Sequence, residues 1–342
     1  MPQTIILTGI TGFIAKHIAQ QLLNAGYQVR GTLRSMDRAD EVRDAIAPGL
    51  KKGIKLEKRL SFVELDLTKD SGWADAMEGG DVLLHTASPF PIAQPKDENE
   101  LIRPAVDGTL RALKAAHAAG IERVVLTSSM AAIMNKPLTP GKTAYDHTHW
   151  TDVSLDYVSP YDKSKTLAEK AAWDLVEAEA PSMKLTTINP GLVLGPSLDE
   201  HFGSSLELVE RVLKAKDPAV PDVSIPGVDV RDVAKMHVDA ISADASIGKR
   251  CIAVAQELSF PEISTILADA YPERKIATRV APKWLLAILK LFDPTVRTIY
   301  PILGMRRAAD TSDARETLGI EFMPMKDSVL AAAESVVKFK AI

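Results

Sequence analysis

Among its 342 residues the chain has a single cysteine, Cys251, so no internal disulfide is available and no thiolate pair stands at metal-ligand spacing. A chain of this kind suits a reducing compartment, and a cytoplasmic location is expected. It also lacks an excess of either charge. With 41 Lys and Arg against 45 Asp and Glu, the net charge of −4 gives no global field that would draw the chain to nucleic acid or to an anionic membrane, and neither is expected as a partner. Long hydrophobic runs are missing as well. The apolar opening, residues 4–8, is far too short to span a bilayer and has no basic lead of a signal peptide. The stretch from Ala281 to Phe292 is interrupted by Pro282, Lys283 and Lys290 and reads as an amphipathic helix, with a dimer surface or a lid as its possible uses. No internal repeat or low-complexity tract divides the chain.

What is present is alternation. Short β-branched runs near residues 4–9, 28–33, 61–65, 81–86, 122–127 and 184–189 read as strands. Helical patterns lie between several of them, near 12–25, 71–78, 97–119 and 160–179, and this order is the sequence form of a parallel sheet with crossover helices. After Pro190-Gly191 the pattern loosens, and prolines 196, 218, 221 and 226 break the chain. The expected α/β organisation is a nucleotide-binding domain over 1–192 with a returning segment near 228–256. A smaller substrate-binding region, mostly C-terminal, then takes 193–227 and 257–342 and covers the C-terminal edge of the sheet.

The turn after the first strand is Thr8-Gly9-Ile10-Thr11-Gly12-Phe13-Ile14-Ala15. Gly9 permits the tight turn and Gly12 lets the backbone approach a pyrophosphate. Ala15 allows close helix packing, and the helix N-terminus offers free N–H groups to phosphate. Thr11, Phe13 and Ile14 belong to the same cradle. A doubly wound sheet of Rossmann type is therefore expected. At the end of the second strand, Leu33-Arg34-Ser35 is followed by Arg38, cations where a carboxylate would hold a ribose 2′-OH. The expected cofactor is NADP(H) rather than NAD(H), with Arg34 forking onto the 2′-phosphate. Asp66, just after the third strand, is placed either to accept from the adenine amine or to cap a helix.

A carbonyl reductase must deliver a proton to oxygen as hydride reaches carbon, and a tyrosine serves if a nearby ammonium raises its acidity. Tyr161 and Lys165 stand four residues apart at the start of a helical stretch and so share one face. Ser129 ends the fifth strand, at the sheet edge where such folds place ligands, and its hydroxyl can hold the substrate oxygen. Phe90, Met130 and Met134 sit beside this set and read either as core or as an apolar substrate wall. Asp229, Arg231 and Asp232 read either as a capped helix start with an ion pair or as substrate contacts. His147 and His149 have no partner at ligand spacing, and no metal is assigned.

At these residues the chain resembles the extended short-chain dehydrogenase/reductases, in the branch of the plant dihydroflavonol and cinnamoyl-CoA reductases and most nearly the yeast-type NADPH-dependent methylglyoxal (carbonyl) reductases. The motifs are Leu84-His85-Thr86-Ala87-Ser88-Pro89-Phe90, Arg123 to Ser129, Leu167-Ala168-Glu169-Lys170-Ala171-Ala172-Trp173, Asn189-Pro190, Gly195-Pro196 and Asp229 to Ala234. The resemblance implies Ser129, Tyr161 and Lys165 as the catalytic set and Arg34 and Arg38 as 2′-phosphate contacts. Asp66 and Leu67 would flank the adenine, Thr86, Ala87 and Ser88 would line the cleft, Pro190 and Val193 would border the nicotinamide, and Ser205 would close over the phosphates. Asp107 replaces the Asn of many relatives, which puts an amide-mediated proton relay in question. Ser129 is followed by Met130-Ala131-Ala132-Ile133-Met134, which removes a polar group expected to hold a flavonoid. A small, partly apolar carbonyl compound is the expected substrate, and a monomer or homodimer the expected state. A dehydrogenase or epimerase of the same superfamily and a non-catalytic NADP sensor are the alternatives.

Overall fold

The computed structural model describes residues 2–89, 97–138 and 140–340. Its strands are β1 (Thr4–Thr8), β2 (Gln28–Leu33), β3 (Leu60–Glu64), β4 (Val82–His85), β5 (Arg123–Thr127), β6 (Lys184–Pro190), β7 (Leu192–Leu194), β8 (Ser224–Asp229), β9 (Arg250–Ala253) and β10 (Gln256–Ser259). Seven of them form one parallel sheet in the order β3-β2-β1-β4-β5-β6-β9, and the other three form a small sheet, β10-β8-β7. The six expected strands all lie in the large sheet. The seventh, β9, comes from the segment expected to return; β8, at the start of that segment, belongs to the small sheet instead.

Period-two alternation explains why the strands read as unbroken apolar runs. Ile5 and Leu7 of β1 pack on one face with Ile18, Leu22, Val233 and Met236, from helices Phe13–Ala25 and Val230–Ala240. Ile6, between them, points to the other face and packs with Leu83, Val124, Leu113 and Leu175, beneath helices Asn99–Ala118 and Pro160–Ala178. A sheet covered on both faces must be apolar on both. Each aliphatic side chain fully buried in this way contributes about 2 kcal/mol relative to leaving it in water.

The smaller region has its own core, in which Leu206, Val209, Leu267, Val329 and Val336 gather from helices Ser204–Leu213, Phe260–Ala270 and Met325–Lys340. The apolar stretch near residue 285 forms helix Lys283–Leu289, which buries Leu286 but leaves Trp284 67% and, just beyond, Phe292 80% exposed. Among the described residues no helix is long and apolar enough to cross a membrane.

Candidate active site

The strand order reverses about β1, which pairs with β2 on one side and β4 on the other, and a crevice opens at the C-terminal ends of these strands. Gly9 adopts φ +68°, and a Cβ there would lie 2.9 Å from the Cα of Ala87, so glycine is required both for the turn and for the close approach. Thr8 fixes the opposite wall. Its hydroxyl oxygen accepts from the backbone N–H groups of Thr86 and Ala87, 3.1 Å each, and contacts His85 Nδ1 at 2.8 Å. The first amide bonded within the following helix is Lys16, to Gly12 O at 3.0 Å, so the amides of residues 13–15 have no helical partner.

The resulting cleft, of about 600 Å³, brings together Gly9, Thr11, Gly12, Arg34, Arg38, Asp66, Leu67, Thr86, Ala87 and Ser88, all singled out in the sequence. Its shape and its donors fit a dinucleotide with a 2′-phosphate: a glycine turn at the helix start and two guanidinium groups at the far end. Arg34 is exposed there. Arg38 is engaged, donating to Glu41 through Nε at 2.9 Å and Nη2 at 2.7 Å. Buried Lys16 supports the same corner through ion pairs with Glu41 and Asp199, a contact the sequence reading missed. Asp66 lines the cleft, and its Oδ1 accepts from Thr68 N at 2.9 Å within a turn; the next helix starts only at Trp73, so Asp66 is not its cap. The lining of this cleft does not include Phe13, Ile14, Pro190, Val193 or Ser205; Val193 is buried in β7, and Phe13 packs edge-on against His17. Phe90 lies outside the described residues.

Beyond the cleft stand the three side chains expected to react. Ser129 follows β5 and caps the short turn Met130–Ala132, its Oγ accepting from Ala131 N at 3.1 Å. Tyr161 occupies the first turn of helix Pro160–Ala178, which starts with a capping box: Ser159 Oγ accepts from Asp162 N at 3.1 Å, and Asp162 Oδ2 accepts from Ser159 N at 3.1 Å. The helix start is thereby fixed, and the Tyr161 side chain is hydrogen-bonded to that of Ser129. One turn on, Lys165 Nζ lies 5.9 Å from the Tyr161 ring centroid. Burial pushes the Tyr161 phenol up to about 12, with the Ser129 hydrogen bond opposing it, and burial pulls the Lys165 ammonium down to about 8. The expected acidifying influence of Lys165 on the phenol is therefore overridden: loss of water around both groups dominates, and the phenol keeps its proton at neutral pH.

Behind this set lies a buried network that the sequence reading noted only as part of a motif. Glu169 sits one turn beyond Lys165, completely enclosed, and pairs with Arg250 of β9 at 2.6 Å. A small cavity between Lys165, Glu169, Ser128 and Thr109 adjoins it. The spacing of Lys165 and Glu169 was the available signal; the strand carrying Arg250 was not. Asp107 is exposed on the outer side of its helix, beside Arg111, rather than toward this cavity. Met130, one candidate for a substrate wall, is fully buried with Ile133, Tyr145 and Ile252, so its side chain belongs to the core, and half-buried Met134 packs at the edge of that cluster. The Asp229 motif resolves toward its structural reading: Asp229 caps helix Val230–Ala240 and pairs with Arg231 at 2.8 Å, while Asp232 accepts from Met323 N.

The sequence pattern of the NAD dependent epimerase/dehydratase family matches residues 5–255. The NADPH-dependent methylglyoxal reductase GRE2 of Saccharomyces cerevisiae is 30% identical, covering 98% of this chain and 99% of its own length. The ketoreductase azaE of Aspergillus niger is 32% identical over 99% of this chain and 98% of its own. In three dimensions, the crystal structure of the yeast methylglyoxal/isovaleraldehyde reductase Gre2 complexed with NADPH superposes with a TM-score of 0.81 at 28% identity, covering 99% of each chain.

Proposed function

The chain belongs to the NAD dependent epimerase/dehydratase family, and from that membership we propose that it is an NADPH-dependent carbonyl reductase acting on small ketones or aldehydes. The observation that carries this reading is the Ser129–Tyr161 hydrogen bond with Lys165 one turn away, set beside a dinucleotide-shaped cleft that ends in Arg34 and Arg38. The names of the similar reductases support it. NADPH, when bound, supplies the hydride that reaches the carbonyl carbon. The glycine turn and the helix start would hold its pyrophosphate, and Arg34 with Arg38 would hold the 2′-phosphate.

Ser129 Oγ and the Tyr161 hydroxyl bind the carbonyl oxygen between them. Tyr161, whose phenol is protonated across the physiological range, donates its proton to that oxygen, and the Lys165 ammonium stabilises the phenolate left behind. Leu67, Thr86, Ala87 and Ser88 shape the walls; Pro190, Val193 and Ser205, outside the lining of this cleft, would border the nicotinamide and phosphates only beyond it. The reading includes a cytoplasmic monomer or homodimer whose partner is the small-molecule substrate.

The test follows absorbance at 340 nm with NADPH and then NADH over methylglyoxal, α- and β-ketoesters, aryl ketones, aliphatic aldehydes and a dihydroflavonol. Consumption of NADPH on ketoesters or aldehydes is expected. Tyr161→Phe should keep NADPH binding and lose about 10²–10⁴-fold in turnover; a Phe variant that turns over normally removes the mechanism.

A further inference from the structure

We propose that Glu169, held by Arg250, is a positioning residue for reduction, locking the helix that carries Tyr161 and Lys165 to the strand ends that carry Ser129. The inference rests on the reading of Ser129, Tyr161 and Lys165 given above. Its basis is the convergence of three strands on one carboxylate. Ser128 Oγ, at the end of β5, donates to Glu169 Oε2 at 2.5 Å; Asn189 Nδ2 of β6 donates to the same oxygen at 2.8 Å; Thr187 Oγ1, also of β6, donates to Oε1 at 3.1 Å. From β9, Arg250 donates through Nε at 2.6 Å and Nη2 at 3.3 Å. Trp173 Nε1, one turn along the helix, adds a donation at 3.3 Å.

Two of these links reach the reactive serine. Ser128 is its neighbour in the chain, and Asn189 Nδ2 also lies 3.3 Å from the Ser129 carbonyl oxygen as donor. On the helix side, Glu169 shares a face with Lys165, and both line the small cavity beside Ser128 and Thr109. Arg250 is in turn fixed from outside, stacked 3.6 Å over the Trp150 ring and donating to the carbonyls of His147 and His149 at 2.8 and 2.6 Å. A shift of this carboxylate therefore moves the serine end and the lysine end together.

Stability alone does not account for such an arrangement. A buried ion pair repays its desolvation poorly, and well-packed neutral replacements are often as stable, whereas removing one partner is strongly destabilising. Burial works to raise the Glu169 carboxyl, but Arg250 and the hydrogen bonds hold it below its ordinary range, so the site keeps a negative charge. The charged and titratable groups around Lys165 are Glu169 and Tyr161 on its own helix and His85 at the end of β4, with Arg250 of β9 behind Glu169. Of these, only Glu169 opposes the burial that lowers the ammonium.

The experiment compares the wild type with Glu169→Gln, Arg250→Gln and the double variant, on the best carbonyl substrate of the panel. Glu169→Gln should retain NADPH binding, since Glu169 does not line the nucleotide cleft, while kcat drops by about tenfold or more and KM moves little. Its alkaline limb, set by Lys165, should move to lower pH. The double variant, with no unpaired charge, should regain the thermal midpoint but neither the kcat nor the pH profile; it carries the test if a single variant fails to fold. Recovery of kcat together with stability in the double variant, or a wild-type kcat and pH profile in Glu169→Gln, overturns the proposal and leaves a structural pair only. Wild-type protein that consumes no NADPH, or an active Tyr161→Phe, removes the functional reading instead; a normal Glu169→Gln beside an inactive Tyr161→Phe removes only this inference.

Discussion

On the proposed reading, single side chains decide the cofactor. Arg34 stands exposed at the end of β2, and the nearest acid that could rival it, Asp37, is bound by Ser35 Oγ at 3.0 Å. Arg38 is already held by both oxygens of Glu41. The two guanidinium groups are thus unequal: Arg34 is available to the 2′-phosphate without breaking an ion pair, whereas Arg38 must share. A charge-assisted hydrogen bond contributes about 1.5–3 kcal/mol. Arg34→Glu should therefore lower the ratio of kcat/KM for NADPH over NADH by about 10- to 100-fold, with a smaller loss for Arg38→Ala. Measured ratios with the two cofactors check this, and an unchanged preference in Arg34→Glu would assign the phosphate to another residue. The sequence shows Arg34 directly after β2 and Arg38 four residues on, but it could not reveal that Glu41, three residues beyond Arg38, had claimed one of them.

At the scale of elements, the tyrosine proposed as proton donor depends on how its helix begins. Tyr161 lies in the first turn, where the backbone has yet to gain its full set of helical bonds, and Ser159 with Asp162 supplies the missing partners. Ser159→Ala should cost about 1 kcal/mol of stability, read from the urea midpoint. It should also lower kcat by more than it changes NADPH binding, because the frayed turn carries the proposed proton donor and not the cleft wall. Equal loss in both would mean that the cap serves the whole helix. Elements of this kind were legible because their signals are local: the glycine turn, the alternating strands, and Tyr161 with Lys165 on one helix face. The apolar wall was not, since Met130 looks the same in sequence whether it faces a substrate or Ile252, a partner 122 residues away brought near by β9. Arg250 was invisible for the same reason: β9 is four residues long and, among the described residues, pairs with β6 alone. Sequence separation, not weak chemistry, hid these contacts.

Across the whole molecule, three imidazoles are buried neutral at places where separate layers meet. His85 bonds β4 to Thr8 of β1, His237 bonds helix Val230–Ala240 to Thr127 of β5 at 2.6 Å, and His17 bonds the first helix to Pro196 O at 2.8 Å. Burial pulls His17 and His237 down to about 4 and His85 down to about 3. In the unfolded chain each takes up a proton near pH 6.5, well before the folded protein does. The unfolded state therefore binds more protons between those values, and stability is fully present above pH 6.5 and lost as pH falls toward 4. Each proton taken up contributes about 1.4 kcal/mol per pH unit, so three give about 4 kcal/mol per unit near pH 5. The urea-unfolding free energy, measured at intervals from pH 7 to 4.5, should fall steeply along this slope. Replacing one imidazole by an amide of similar reach, as in His17→Asn, should reduce the slope by about a third while costing some stability at pH 7. A flat profile down to pH 4.5 would mean that these histidines are hydrated enough to titrate normally and that the layers they join open more readily than their packing implies.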